Sequence, residues 1–585
     1  MNIFPKLYLK INFWIRDRVE KLDKKIAIFL MKLIRSPSEI SRFPHLIKIG
    51  NPSIGRRLVE GDLIIGRVLL EFKSDSPWNF ESPSIDFQEA LHGFQWLNDL
   101  SAYGNLSSKK LSFKWIIQWF DLYGDGSGPG WTPEIVARRL TNISRNAGFF
   151  LKLIDPKTNR ELFVKLNKQI FFLKAFQTNM KGNLAKIRVV YALLSIQFTI
   201  GKSRHNIKSS LGKFCEQLIK TFDEKGYICS RSPEDLLEIF IMISEVLYFW
   251  KEAKLNNNKD KKLLLDYQRD IAPMIRGLRL GNGCLTRAHG GDSGLISVID
   301  KVLADSGVRS GPLNRNIMGF ERIAAGRLVL LTDCYKPPRP LYSRNAHSAC
   351  FSFELSSGQR PVFVNCGPGR RFGLDYHRYC RSTRAHNTSV LGNNSQSDYQ
   401  IIRRGNYQSE ELIVRCPKKI TISRAENLDA IWLELSHDGY TDPYGFVHER
   451  KLTLLKSGKA FSGVDIFRLT TKRSFQTQHS LIFSSYFHLH PEVEVWDHPR
   501  LQTIILRLKN GEHWIFETDL GEVSLEDSTY IDDYNGVPVY TKAIVVNSPP
   551  LAKYVEIKWS LRRREIVSRN TRDGNIVQEK TKTFL

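Results

Sequence analysis

The chain has 585 residues, of which 42% are hydrophobic and 11% aromatic, and its formal net charge is +26. This composition excludes a disordered chain, and the length exceeds what a single core usually supports, so we expect two large domains. Eight cysteines without a C-x-x-C pair exclude a disulfide scaffold and a thioredoxin-type site. The positive charge favours polyanionic partners, although a compositional bias without any partner is equally compatible.

Residues 1–85 are predicted to form an N-terminal extension with a basic amphipathic helix at residues 6–34. The longest clean apolar run there extends only from Ile26 to Met31 and is bracketed by lysines. A signal peptide needs about 7–15 apolar residues and a membrane-spanning helix about 20, so neither is expected. The helix would suit peripheral contact with an anionic membrane, or packing on the body of the protein.

Residues 86–315 are predicted to be helical, because apolar residues recur there at helical spacing, as in Leu91–Leu100 and Trp115–Phe120. The segment Ser232–Asp235 has the composition of a helix start. Ser can cap the helix, Pro fits its first position and Asp can complete a capping box. Successive helices with short connections suit an array of helical hairpins.

Residues 316–562 are predicted to form strands, because the apolar period changes to two, as in Arg327–Cys334 and Leu501–Leu508. Hairpin turns are indicated at Asn510-Gly511 and at Asn535-Gly536. We therefore expect an antiparallel β-sandwich, followed by a polar tail at residues 563–585 that is expected to fray.

The segment from Ala346 to Asp398 carries the most specific motif. It contains His347, the run S-F-E-L ending at Leu355, and the run R-S-T-R-A-H-N-T from Arg381 to Thr388. These runs resemble the signature of the heparinase II/III-like polysaccharide lyases, H-x-D-x-L-S-F-E-L, V-D-P-G and R-S-T-x-A-H-N-T-V. The likeness covers roughly residues 60–560. It implies a two-domain α+β fold, with an incomplete (α/α) toroid followed by an antiparallel β-sandwich.

The resemblance also implies a bacterial lyase that cleaves a uronic-acid-containing polysaccharide by β-elimination. That reaction needs a group that neutralises the sugar carboxylate, a base for the C5 proton and an acid for the departing O4. Related lyases use an Asn on a toroid helix, a Tyr after an R-S-P loop, and the His of the first signature strand. His347 matches the His. Asn183 is a candidate for the Asn, with an ordinary helix cap as its alternative role.

The position of the family's Tyr is taken here by Asp235, a carboxylate that is a poor neighbour for an anionic sugar. Tyr227 and Tyr342 are the candidates to replace it. For substrate binding we expect Arg231, which could hold a carboxylate with two hydrogen bonds, supported by three further residues. These are His386, Arg381 and Tyr376. The arginines and tyrosines near Tyr376 also resemble a nucleic-acid patch, but no recognised motif accompanies them, so no specific nucleic acid is expected.

Zinc-binding members of the family take ligands from three positions. Those positions hold Ala349, Asn365 and His386 here. Ala cannot ligate and Asn is a poor zinc ligand beside Asp, so we expect neither a metal nor another cofactor. Cys350 and Cys366 would lie on neighbouring strands if the resemblance holds, and buried free thiols are expected there rather than a bridge.

These departures leave a second function open, a catalytically degenerate protein of the cell envelope that binds acidic glycans. A basic protein of nucleic acid or membrane surfaces is a third. The resemblance favours the cell envelope or periplasm, whereas the lack of a visible cleavable signal keeps the cytoplasm as the alternative.

Overall fold

A computed structural model describes residues 50–66, 68–70, 76–79, 84–151, 155–176, 182–201, 203–256, 258–404, 408–470, 481–498, 503–531, 537–550 and 552–564, with a few isolated positions before residue 50. The amphipathic helix expected at residues 6–34 and the tail after residue 564 lie outside this part of the chain, apart from three isolated positions.

The first half of the described chain is helical and also holds one short hairpin. Its helices are α1 Pro52–Glu60, α2 Ile85–His92, α3 Trp96–Tyr103, α4 Leu106–Tyr123, α5 Pro133–Phe150, α6 Pro156–Phe176, α7 Asn183–Thr199, α8 Arg204–Thr221, α9 Pro233–Glu252, α10 Asn258–Gly277 and α11 Ile296–Asp305, and its strands are β1 Leu63–Ile65 and β2 Val68–Leu70.

The start of α9 shows how local sequence sets these helices. Ser232 has an extended backbone, and its hydroxyl accepts from the backbone N–H of Asp235, while Pro233 fills the first helical position. This is the cap predicted from the sequence. Apolar residues of neighbouring helices then pack into two adjoining cores, as α5 and α8 both do against α7.

The expected domain boundary at residue 85 needs a correction. Ile54, Leu58 and Leu63 belong to the same buried core as Leu91 and Leu97. Because this core holds residues from both sides of the expected boundary, residues 52–70 are part of the helical domain.

The second half is antiparallel β-structure with two short helices. Its strands are β3 Phe320–Ala325, β4 Leu328–Asp333, β5 Phe353–Ser357, β6 Arg360–Phe363, β7 Ser389–Leu391, β8 Asp398–Arg404, β9 Gln408–Arg415, β10 Ile420–Glu426, β11 Ala430–Tyr440, β12 Phe446–Leu455, β13 Ala460–Leu469, β14 Phe483–His488, β15 Glu494–His498, β16 Thr503–Arg507, β17 His513–Thr518, β18 Glu522–Ile531, β19 Pro538–Asn547 and β20 Tyr554–Arg563, and its helices are α12 Leu374–Arg381 and α13 Thr441–Tyr444.

The largest sheet has the order β10-β11-β12-β13-β20-β17-β16-β15, and two four-stranded sheets have the orders β18-β19-β14-β7 and β3-β4-β5-β6. Phe353, Phe487 and Trp559, from three different sheets, meet in one core. The predicted α+β architecture, helices first and an antiparallel sandwich second, is confirmed. None of the described helices combines the length and apolar content that a membrane-crossing segment needs.

Candidate functional site

A cleft of about 1460 Å³ separates the helical half from the β half. Helices α2, α5, α7 and α9 form one wall. The other wall is made of loops of the β half, at residues 341–347 and 368–381, and of the β8–β9 hairpin. A cleft between two parts of a protein is a common form of a ligand site.

His347 lies in the cleft wall, in the loop before β5, but is only 1% exposed. Its Nδ1 is 3.0 Å from Nε2 of His386, whose Nδ1 is 2.7 Å from the carbonyl of Ser382. Because a carbonyl can only accept, His386 carries its proton on Nδ1 and accepts from Nδ1–H of His347. The remaining nitrogen of His347, Nε2, accepts from the backbone N–H of Gly290 at 3.1 Å. Both nitrogens of both rings are therefore engaged.

The electrostatics agree with this arrangement. Burial, and then the neighbouring His386, hold the pKa of His347 well below its ordinary value, and burial lowers the pKa of His386 to about 3. No carboxylate hydrogen-bonds to either ring within the described residues. His347 is therefore a weak base whose lone pair is already used.

A third histidine, His289, supports the same loop. Its Nδ1 accepts from the backbone N–H of His347 at 3.3 Å, and its Nε2 lies 3.1 Å from Asp333. Asp333 also pairs with Arg231 at 2.5 Å, with all three side chains buried. Arg231 further donates to the carbonyls of Met318 and Lys336. The expected substrate-binding role of Arg231 is corrected, because its guanidinium is buried, occupied and outside the cleft lining.

Arg381 does line the cleft but acts as a brace. It donates to the carbonyls of Ser343 and Ala346, which flank the loop of His347, and it stacks on Tyr399 at 4.0 Å. With 2% exposure it offers little surface to a ligand.

Two of the three residues predicted to be catalytic are not brought to His347. The side-chain amide of Asn183, at the start of α7, donates to the carbonyl of Lys220 on α8. Tyr227 donates its hydroxyl to the side chain of Asn316. Neither lines the cleft. Each is hydrogen-bonded to a partner outside the cleft lining, which corrects the grouping made from the sequence.

The two other tyrosines separate in the same way. Tyr342 lines the cleft beside Gly182 and is partly exposed. Tyr376 packs instead against a small buried cluster that contains Cys366 and Cys380, away from the cleft lining. Cys350 and Cys366 are buried free thiols, as expected.

Asp235, the residue at the family's Tyr position, lines the cleft together with a second acidic residue, Glu238. Arg188 on α7 lies 2.6 Å from Asp235 and also pairs with Glu238. This triad carries a net negative charge, so the position that would serve proton transfer in a lyase holds an ion pair instead.

The residues at the three zinc positions do not fit the ion. Ala349 has no donor, Asn365 accepts from the backbone of Asn387, and both nitrogens of His386 are used. Within the described residues, no group of three or more His, Cys, Asp or Glu side chains is arranged to hold a metal.

Sequence reasoning missed the ion pairs that cross the cleft. Eight arginines and nine acidic residues line it, in a chain with a net charge of +26. Arg370 pairs with Asp86 and Arg371 with Asp292, and Ser84 donates to the carbonyl of Arg371. Asp86 and Glu89 stand three positions apart on a predicted helix, and this spacing was the signal in the sequence that they lie on one helix face. Their partners Arg370 and Arg344 are about 255 to 284 positions away, so the sequence did not indicate the ion pairs.

Residues 314–560, which make up most of the β half, match the family described as Heparinase II/III-like, C-terminal. A helical array joined to an antiparallel sandwich across a cleft is the architecture that the resemblance to this class implied.

Individual relatives agree with this. FtsZ-localized protein C of Caulobacter vibrioides is 24% identical over 542 residues, which are 90% of this chain and 91% of that protein. The crystal structure of heparinase III has a TM-score of 0.66 at 14% identity and covers 92% of this chain and 89% of its own. A mutant heparan sulfate lyase HepC from Pedobacter heparinus has a TM-score of 0.53 at 12% identity, with coverages of 94% and 88%. At these identities the solved structures establish the fold alone.

Proposed function

We propose that this protein uses the heparinase fold for binding rather than for β-elimination, which is the degenerate alternative considered from the sequence. The observation that carries the proposal is the closed hydrogen-bond network of His347. A base in elimination must have a lone pair that can reach the C5 proton, and an acid must have a proton to release. His347 accepts from Gly290 on one nitrogen and donates to His386 on the other.

Two further observations support it. Asp235 stands in an ion pair where a lyase would have its Tyr, and neither Tyr227 nor Asn183 lines the cleft. The cleft itself is open, with a volume of about 1460 Å³. An open cleft whose candidate catalytic groups are engaged elsewhere suits recognition of a glycan without its cleavage.

The test is ultraviolet absorbance during incubation with a panel of uronic-acid polysaccharides. Elimination leaves a C4=C5 double bond conjugated to the carboxylate, and hydrolysis does not. We expect no rise in absorbance for the parent chain or for His347→Ala, with an active heparinase III as the positive control. A rise that His347→Ala abolishes would instead establish an acidic-polysaccharide lyase.

We also infer that the protein acts together with FtsZ. The support is the relative from Caulobacter vibrioides, whose name states that it is FtsZ-localized and whose similarity extends over nine-tenths of both chains. Localisation with FtsZ implies a site that is not periplasmic, so the proposal favours the cytoplasmic alternative. Contact of residues 6–34 with an anionic membrane stays a prediction.

A fluorescent fusion of the full chain, imaged with labelled FtsZ in the parent bacterium, tests this part. We expect the two signals to coincide, and the fusion to disperse when FtsZ is depleted. Export to the periplasm, or a pattern unchanged by FtsZ depletion, would contradict it.

A further inference from the structure

We propose that Asp86 and Glu89 occupy a built-in anion site in the cleft wall, and that uronic-acid carboxylates bind there by displacing them. This inference rests on the proposed binding role of the cleft and names the chemical class of its ligand.

The site is an arginine cluster around Glu89. Arg344 lies 3.2 Å, Arg370 3.6 Å and Arg138 3.9 Å from the Glu89 carboxylate. The arginines come from three separate segments, the loop before β5, the loop before α12, and helix α5. Asp86, one turn earlier on α2, pairs with Arg370 at 2.8 Å. All five side chains line the cleft.

The internal carboxylates satisfy this cluster incompletely. Two of the three contacts of Glu89 exceed hydrogen-bond distance. Nη2 of Arg370 is buried and makes no hydrogen bond within the described part of the chain. Guanidinium groups prefer paired, coplanar contacts with a carboxylate. A ligand carboxylate that makes such contacts would therefore compete well with Glu89.

The charge of the cluster is a local feature. Three arginines contact two carboxylates here, whereas the whole cleft lining has eight arginines and nine acidic residues. Burial, and then the adjacent Glu89, raise the pKa of Asp86 to about 7, against the opposing effect of Arg344, Arg138 and Arg371. Protonation of Asp86 would weaken its pairing with Arg370.

Asp86 and Glu89 stand at positions i and i+3 of a helix, which places their Cβ atoms about 5–6 Å apart. The site opens directly into the cleft, because its side chains are part of the cleft lining.

The experiment compares two matched double variants. Asp86→Asn with Glu89→Gln removes the internal occupants. Glu494→Gln with Asp527→Asn removes two exposed carboxylates of the β half that are likewise paired with basic residues, Arg507 and Lys542. The two variants have the same net charge. The probe is hexagalacturonate, titrated calorimetrically into the full chain.

We expect the cleft variant to bind at least tenfold more tightly than the parent chain, and the surface variant to bind within twofold of it. Adding Arg370→Ala to the cleft variant should remove the gain, with thermal unfolding confirming that each variant is folded. Equal affinities of the two double variants, or a gain that survives Arg370→Ala, would overturn the proposal. So would an equal gain for single-stranded DNA of the same charge.

A pH comparison gives a second readout. The parent chain should bind hexagalacturonate more tightly at pH 6 than at pH 8, and Asp86→Asn should reduce that difference, whereas an unchanged difference would contradict the proposal. Ultraviolet absorbance of the same samples separates the two proposals. A rise would refute the non-catalytic function and leave the anion site intact, whereas unchanged affinities would refute only the anion site.

Discussion

The described part of the protein contains two hydrogen-bonded pairs of buried histidines. We call the pair in the cleft wall, His347 and His386, the cleft chain, and the pair in the core of the sandwich, His437 and His448, the core chain. In the core, Gly439 donates to His437, which contacts His448 at 3.1 Å, and His448 lies 3.0 Å from Asp465. In the cleft, Gly290 donates to His347, which contacts His386, and that chain ends on a carbonyl.

In each histidine pair a backbone N–H donates to the first ring, but the acceptor that the second ring contacts differs between the two pairs. The core chain ends on a carboxylate that could stabilise a protonated ring, and yet its position deep in the sandwich gives it a structural role only. The cleft chain ends on the carbonyl of Ser382 and has no such carboxylate. The residue that the family signature marks as catalytic is therefore held, like the core histidines, by hydrogen bonds that occupy its ring.

The largest effect on the free energy of unfolding is expected when the contact of the core histidines with Asp465 is disrupted. Asp465→Asn should lower the free energy of unfolding by about 3–5 kcal/mol, because Arg450 loses its buried counter-charge and His448 loses the carboxylate that it contacts. Urea denaturation measures this. Glu494→Gln, on the exposed strand β15, is the control, and a loss below about 1 kcal/mol for Asp465→Asn would contradict the comparison.

Removing the hydrogen bonds of the cleft histidines should lower the free energy of unfolding by a smaller amount. His347→Ala leaves the N–H of Gly290 and the Nε2 atom of His386 without partners, so we expect a loss of about 1–3 kcal/mol in urea denaturation. A stability equal to that of the parent chain would show that His347 is not a structural residue and would reopen its catalytic assignment.

The pH dependence of stability sharpens the comparison. Burial lowers the pKa of His347 and His386 in the folded protein, whereas the unfolded chain titrates near the ordinary value of about 6.5. The unfolded state therefore binds protons first, and stability that is complete above about pH 6.5 falls as the pH drops toward 3. His347→Leu with His386→Leu should flatten this slope, and His498→Asn, an exposed histidine, serves as the control.

The smallest expected effect concerns metal. Chelator treatment or added zinc should leave the melting temperature unchanged, because Ala349 and Asn365 cannot complete a zinc site. Zinc found in stoichiometric amount by mass spectrometry, together with a lower melting temperature after chelation, would contradict this.

Local patterns in the sequence determined the two-domain architecture. Helical and alternating apolar periods reflect neighbours within a single element, so the change near residue 316 and the cap at Ser232 could be predicted from the chain alone. The signature motif likewise marked His347 and His386 as site residues, whereas the hydrogen bond between their rings came only from the structure.

Only the tertiary structure decided which groups are available for chemistry. Asn183, Tyr227 and Arg231 are ordinary polar residues in sequence, and their engagement by Lys220, Asn316 and Asp333 depends on how separate segments meet. The pairing of Glu89 with Arg344 and Arg370 joins residues more than 250 positions apart. Burial, tautomer and ion-pair partner are properties of packing, and no spacing along the chain encodes them.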